Sequence, residues 1–380
     1  MLALALGGFG IGTTEFVAMG LLPEMSTGLG ISEPTAGHVI SAYALGVVVG
    51  APTIAALTAR MPRRTLLIVL MVAFTVGNAA SVFAPSYATL MAARFVAGLP
   101  HGAYFGVAAL VAAHLAEPGR RAKAVATVML GLSVANVVGV PAAAWLGQHL
   151  GWRSAFALVA VIGVITVGSL LRWIPRLGDM PTTNPVTELG ALGRVQVWLT
   201  LIMGMVGFGG MFAVYSYIST TLTDVSGMAR SLVPLALMLY GLGMVAGNLL
   251  GGYLADRALM TGLAATMVAL AVILAVFVAA AHTPVTALLF VFLIGLAGSA
   301  MVPALQTRLM DVAADAQTLA AALNHAALNV ANAFGAWIGG VVIAAGFGYT
   351  APAAVGALLA VAGLLVLACA VLLERRRGHA

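Results

Sequence analysis

Apolar positions run through this sequence in unbroken stretches of roughly 20 residues or more, the length that crosses a bilayer as a helix. Short polar clusters separate them. The pattern predicts spans near 2–22, 34–58, 65–84, 87–113, 123–148, 154–173, 196–221, 231–254, 262–281, 284–308, 318–345 and 350–373. Only helices and closed barrels satisfy the backbone in lipid. Barrel strands would alternate apolar and polar residues over about ten positions, and these runs do not alternate. The expected fold class is therefore all-α integral membrane, with twelve transmembrane helices in two six-helix bundles. The longest polar stretch, "RLGDMPTTNPVTELGALGR" (176–194), divides the spans six and six. It predicts an N-terminal bundle over 1–175, a cytoplasmic linker over 176–195 and a C-terminal bundle over 196–380.

Composition agrees with this reading. Of 380 residues, 62% are hydrophobic and 7% charged, against about 25% charged in a soluble domain. The net charge of +6 acquires meaning from its distribution. Arg60, Arg63, Arg64, Arg120, Arg121, Lys123, Arg172, Arg176, Arg194, Arg257, Arg308, Arg375, Arg376 and Arg377 fall on one side of the alternating spans, and only Arg153 and Arg230 on the other. This positive-inside asymmetry places both termini in the cytoplasm. It accounts for the basic residues without nucleic acid as a partner and leaves anionic lipid as a secondary one. The single Cys369 cannot form an internal disulfide. The first apolar run has no basic leader and reads as a span rather than a signal peptide.

The two halves resemble each other. "YALGVVVGAPTIAALTAR" (43–60) aligns with "YGLGMVAGNLLGGYLADR" (240–257) at an offset of 197, pairing Tyr43 with Tyr240, Gly46 with Gly243 and Gly50 with Gly247. "VANVVG" (134–139) aligns with "VANAFG" (330–335) at 196, and Gly10 and Gly12 fall against Gly207 and Gly209. Three matches in one register, over three helices, indicate a duplicated six-helix unit. Parallel repeats of this kind predict a transporter with its substrate site between the halves, near mid-membrane. The remaining glycines read as helix-packing residues.

Once the loops are assigned, two charges remain inside spans: Glu15 in "GTTEFVAMG" and Arg94. A charge at the bilayer centre costs at least about 2.5–3.5 kcal/mol and ordinarily faces a bundle interior and a partner. Each lies about seven residues from the outer end of its span, roughly 10 Å deep. Opposite charges at one depth can pair, directly or through water. The second half has Phe212 and Val291 at the equivalent positions, so the pair is a specialised feature, favouring proton coupling over architecture. His101, two turns beyond Arg94, is a further proton-relay candidate. Thr13 and Thr14 either solvate the carboxylate or bond back to their own helix. Substrate candidates are Thr14, Tyr43 and Asn136 in the first half. In the second they are Phe212, Tyr215, Tyr217, Tyr240 and the eleventh-span amides Asn324, Asn329 and Asn332. Interhelical hydrogen bonding is the plainer role for each amide.

Several of these stretches carry a family resemblance over essentially the whole chain. "GTTEFVAMGLLPEM" (12–25), "RFVAGLPHG" (94–102), "GLSVANVVGVP" (131–141) and "GWRSAF" (151–156) resemble the major facilitator superfamily. Within it they resemble the twelve-span drug:proton antiporters, in particular the bacterial arabinose-efflux and chloramphenicol-resistance branch. The resemblance implies a proton-coupling role for Arg94 and, through the fifth-span motif, export. In the family's loop motif G-x-L-A-D-R-x-G-R-R/K, "AALTARMPRR" (55–64) keeps Arg60, Arg63 and Arg64 but has Ala59 and Pro62 where the acid and second glycine belong. The acidic version, "GGYLADR" (251–257), is in the second half with Asp256 and Arg257. The gating role of the motif is thereby implied for Asp256 and Arg257, and Arg60 and Arg64 stand as gating candidates in a first-half loop that lacks the acid.

The expected function is proton-coupled export of small amphipathic organic compounds by a monomer in the bacterial inner membrane, without cofactor or metal. Export of a sugar or metabolite is the nearest alternative, and proton-symport import a further one. A membrane-embedded enzyme is disfavoured, because no HExxH, GxSxG or paired deep carboxylates occur.

Overall fold

The computed structural model describes residues 1–58, 61–117, 121–177, 190–313 and 317–377. Every regular element among them is a helix. The first span is Leu2–Gly20, followed by a short helix, Leu22–Leu29, that ends at Gly30 with φ 64°. The second to fourth spans are Glu33–Leu57, Arg63–Val82 and Tyr87–His114. The fourth opens with a capping box, in which Ser86 and Thr89 satisfy each other's backbone N–H groups. The fifth span comprises Arg121–Val134, a π-helical turn Ala135–Gly139 and Val140–Leu150. Pro141 cannot donate to the ladder, and its ring crowds the carbonyl four residues back. The wider π turn before it accommodates both effects. The sixth span, Arg153–Trp173, begins after Gly151 (φ 86°). Arg153 there stacks 4.2 Å above the ring of buried Trp152 and donates to the Ala84 carbonyl at 2.9 Å.

The seventh span is interrupted, as Val195–Gly207, Gly209–Tyr215, one turn Ile218–Thr220 and a π turn Thr221–Val225. Beyond it lie Val233–Ala280, Pro284–Ala313, Gln317–Ala344 and Ala351–Arg377. Among the described residues, eleven segments are long and apolar enough to cross a bilayer. One of them, Arg230–Ala280, has 51 residues, about 75 Å of helix against a hydrocarbon core of about 30 Å. Ala258, at φ −158° and ψ 76°, breaks it into the eighth and ninth spans, giving twelve. The expected loop at 255–261 is reduced to that one non-helical residue. "LADRALM" consists largely of good helix formers and has neither proline nor glycine to end the helix.

The chain forms two compact units, Met1–Asn184 and Pro185–Ala380. In the first, the second span packs on the fourth, the third on the fourth and sixth, and the first on the fifth and sixth. In the second, Val233–Ala280 packs on the tenth and twelfth spans, and the seventh on the eleventh and twelfth.

The duplication inferred from residue identities recurs as a duplication of contacts. A Cβ on Gly46 would run into the carbonyl of Phe95, and one on Gly243 into that of Phe292. Gly50 and Gly247 meet the carbonyls of Leu99 and Leu296, and Gly98 and Gly295 those of Tyr43 and Tyr240. Each pair, and each pair of targets, is separated by 197 positions. Three glycines thus bring the second and fourth spans to backbone contact, and three more do the same for the eighth and tenth. Gly46→Val and Gly243→Val should each cost about 1–3 kcal/mol or more by overpacking. Gly106→Val, where a Cβ meets nothing within 4 Å, should be nearly silent. Thermal unfolding of the purified variants in detergent measures the difference.

Candidate functional site

The first unit buries a continuous polar chain in an apolar surround. Arg94, from the fourth span, is 0% exposed. Its guanidinium donates from Nη1 to Thr14 Oγ1 at 2.8 Å and from Nη2 to the Thr14 carbonyl at 2.9 Å. The Thr14 hydroxyl donates onward to Asn78 Oδ1 of the third span at 2.6 Å. The Asn78 amide nitrogen bonds to the Phe74 carbonyl of its own helix at 2.9 Å. The Arg94 guanidinium carbon sits 4.4 Å from the centroid of the Tyr43 ring and 5.0 Å from that of Phe156, where the negative faces of the rings stabilise the cation. The Tyr43 hydroxyl reaches His101 Nδ1 at 3.1 Å, and the imidazole stands edge-on to Phe105 with centroids 5.4 Å apart. First, second, third and fourth spans thereby contribute to one network.

Glu15 is 8% exposed and interacts electrostatically with Arg94 and Tyr43. A direct ion pair is not formed: the hydrogen bonds of Arg94 go to the preceding residue, Thr14. Thr14 offers a hydroxyl and a carbonyl in the spacing of the guanidinium fork, which two oxygens of one carboxylate would otherwise fill. The neighbouring Thr13 takes the plainer course and bonds to the Phe9 carbonyl at 2.8 Å. Thr14, a substrate candidate from sequence, is fully buried and already engaged. Asn136, on the π turn, donates to the Leu132 carbonyl at 3.0 Å, while its Oδ1 is buried with no partner.

In the second unit, Tyr215 and Tyr240 stack with centroids 3.7 Å apart and planes 14° from parallel, joining the seventh and eighth spans. Phe212 lies edge-on to Phe208, and Tyr217 donates to the Ala336 carbonyl at 2.9 Å. The four aromatic substrate candidates, Phe212, Tyr215, Tyr217 and Tyr240, are thus in packed or hydrogen-bonded positions. On the eleventh span, Asn324 donates to Gln306 Oε1 at 2.7 Å and Asn329 to the His325 carbonyl at 3.0 Å. Asn329 Oδ1 is buried with no partner. Asn332, 1% exposed, has no hydrogen-bond partner at either end of its amide. Because an unsatisfied buried amide is costly, Asn332 is the strongest candidate here to meet water or a polar ligand.

Of the gating candidates, Arg60 lies outside the described residues. Arg64 donates to the Leu171 carbonyl at 2.7 Å, tying the start of the third span to the end of the sixth. Asp256 and Arg257 are exposed beside the break at Ala258, and Arg257 covers the Tyr253 ring at 4.3 Å. The charge pattern puts Arg308 at the cytoplasmic end of the tenth span. It lies within the tenth-span helix, 7% exposed, bonded to both oxygens of Glu374 at 2.9 and 3.2 Å and to Gln196 at 3.2 Å. Asn78 is not among the residues the sequence pattern singles out, although a lone amide in the apolar run "FTVGNAASV" is a legible signal. No cluster of three or more His, Cys, Asp or Glu suited to a metal occurs among the described residues.

The Major Facilitator Superfamily model matches residues 4–316 and 200–380. The chain belongs to the major facilitator superfamily. It is 44% identical over 366 residues to the inner membrane transport protein YdhP of Escherichia coli strain K12, covering 96% of this chain and 94% of that one. It is 34% identical to a chloramphenicol resistance protein of Streptomyces lividans, covering 96% and 94%. A crystal structure of a D-xylose–proton symporter shares the fold with a TM-score of 0.73 at 18% identity, over 95% of this chain and 96% of that one. As a member of this superfamily the protein is a membrane transporter and not an enzyme.

The fork between Arg94 and Thr14 demands a planar guanidinium; a lysine supplies charge without the second aligned donor. Losing one charge-assisted hydrogen bond costs about 1.5–3 kcal/mol. Arg94→Lys should therefore lower transport about tenfold or more although the formal charge is kept, as measured by the initial rate in proteoliposomes.

Proposed function

We propose that this transporter exports small amphipathic organic compounds in exchange for protons by alternating access. It works as a monomer in the bacterial cytoplasmic membrane, with both termini in the cytoplasm. The observation that carries this reading is Glu15, a buried carboxylate beside a guanidinium that is hydrogen-bonded elsewhere. A carboxylate in an apolar bundle is costly when ionised and far less so when protonated, so gain and loss of one proton changes which conformation is favoured. Arg94 opposes protonation when it approaches Glu15 and permits it when held away. Glu15 and Arg94 belong to the first unit, with Phe212 and Val291 at the equivalent places in the second. The membrane potential adds about 2.3 kcal/mol per 100 mV for each charge moved.

On the substrate side, the second unit offers the stacked Tyr215 and Tyr240 for an apolar body and Asn329 and Asn332 for polar groups. The relative named for chloramphenicol resistance supports a substrate of that character. Direction is supported by the fifth-span motif, whose π turn at Ala135–Gly139 precedes Pro141. The unsatisfied amides also favour a second reading, export of a hydroxyl-rich sugar or metabolite. A drug-susceptibility panel set against a sugar-efflux panel, with and without expression, separates the two.

Glu15→Gln should abolish accumulation driven by a pH gradient in proteoliposomes while leaving substrate binding intact. Continued concentrative uptake by this neutral variant would remove Glu15 from the proton pathway. Asn332→Leu should raise KM roughly tenfold, the loss of about 1.4 kcal/mol of binding, with proton coupling unchanged.

A further inference from the structure

We infer that Asn78 and Thr14 form a holder that keeps Arg94 off Glu15, making Asn78 a positioning residue for proton coupling although it touches neither charge. The consequence for transport rests on the proton-antiport reading above. The holder itself rests on the direction of three hydrogen bonds.

That direction is determined from one end to the other. The Phe74 carbonyl can only accept, so it takes the NH2 end of Asn78 and turns Oδ1 toward Thr14. Oδ1 can only accept, so the Thr14 hydroxyl donates its single proton there. The hydroxyl is left with lone pairs alone, and Arg94, which can only donate, fills one of them at 2.8 Å. Its second nitrogen is aligned on the Thr14 carbonyl at 2.9 Å.

Thr14 is unusual among the helical threonines. Thr13, Thr53, Thr75, Thr166 and Thr200 each donate to the carbonyl four residues back, the ordinary local bond. Asn78 draws the Thr14 hydroxyl out of that pattern. Without an acceptor at position 78, the Thr14 rotor returns to its own helix and its lone pairs leave the guanidinium. Arg94 is fully buried, so it must then find another anion or acceptor. The ionisable groups around it are Glu15 of the first span, Tyr43 of the second and His101 farther along its own helix. Phe156 of the sixth contributes only a ring face. Glu15 is the one acid in this set, and Arg94 freed from Thr14 stabilises its carboxylate.

The test uses full-length protein in liposomes and reads the protonation of Glu15 by its infrared carboxylic-acid band, identified by its loss in Glu15→Gln. Asn78→Leu and Thr14→Val, each close in size to the native residue, should both require about tenfold more protons to half-protonate Glu15. An arginine brought beside a carboxylate has an effect of that order. Thr14→Ser, which keeps the hydroxyl, should restore the wild-type midpoint. On an Arg94→Gln background, Asn78→Leu should cause no further shift. A purely structural role would lower the yield of folded protein and leave the midpoint in place, and an unchanged midpoint in both Asn78→Leu and Thr14→Val overturns the inference. So does a shift that persists without Arg94. The band titrates whether or not transport is coupled. Absence of proton-driven flux with the midpoint shift intact therefore sinks the antiport reading alone, and coupled flux with no shift sinks the holder alone.

Discussion

A guanidinium with no access to water must be satisfied by protein, and in this molecule a threonine takes both terminal nitrogens while Nε has no partner. Arg94 takes both the hydroxyl and the carbonyl of Thr14 and lies against the rings of Tyr43 and Phe156. A buried charge that loses its partners is strongly destabilising. The first, second, fourth and sixth spans are therefore fastened to one another at this point. Glu15, one residue beyond Thr14, inherits its surroundings from the same contacts. The carboxylate stands beside a cation whose Nη1 and Nη2 each bond to Thr14 while its Nε has no partner.

Such a network needs backbones held to within fractions of an ångström, and the glycines supply that. Gly46, Gly50 and Gly98 bring the second and fourth spans into contact with no side chain between them. Tyr43 and His101, on those two helices, are thereby set within hydrogen-bond reach. The second unit repeats the scaffold through Gly243, Gly247 and Gly295 and places Tyr240 where the first unit has Tyr43. There the tyrosine stacks on Tyr215 instead of lying under a cation. One packing plan carries two chemistries: a charged, hydrogen-bonded interior in the first unit, and aromatic and amide groups in the second. The second unit buries its own cation, Arg308, but near the end of its helix, where Glu374 remains half exposed and the pair is a fastening between tenth and twelfth spans.

Much of the fold was legible in advance. Apolar runs of membrane length have only one all-helical solution when they do not alternate. The repeat at 197 residues pointed to the close-packed glycines before any contact was visible. The eighth and ninth spans escaped separation by a loop because no residue in "LADRALM" stops a helix, and a single extended residue at Ala258 turns the chain. The rarity of charge in these spans drew attention to Glu15 and Arg94, and the helical rise placed both at one depth.

Depth along two helices does not decide which atoms meet. The sequence by itself determined that a carboxylate and a guanidinium lie in the membrane within the first half of a duplicated helical transporter. Only the tertiary structure decided that the guanidinium bonds to Thr14, that Thr14 turns away from its own helix, and that Asn78 is the reason. Those outcomes depend on the rotation of three helices about their axes and on the direction of each hydrogen bond. Both are set by packing between residues 64 and 80 positions apart, beyond what local pattern encodes.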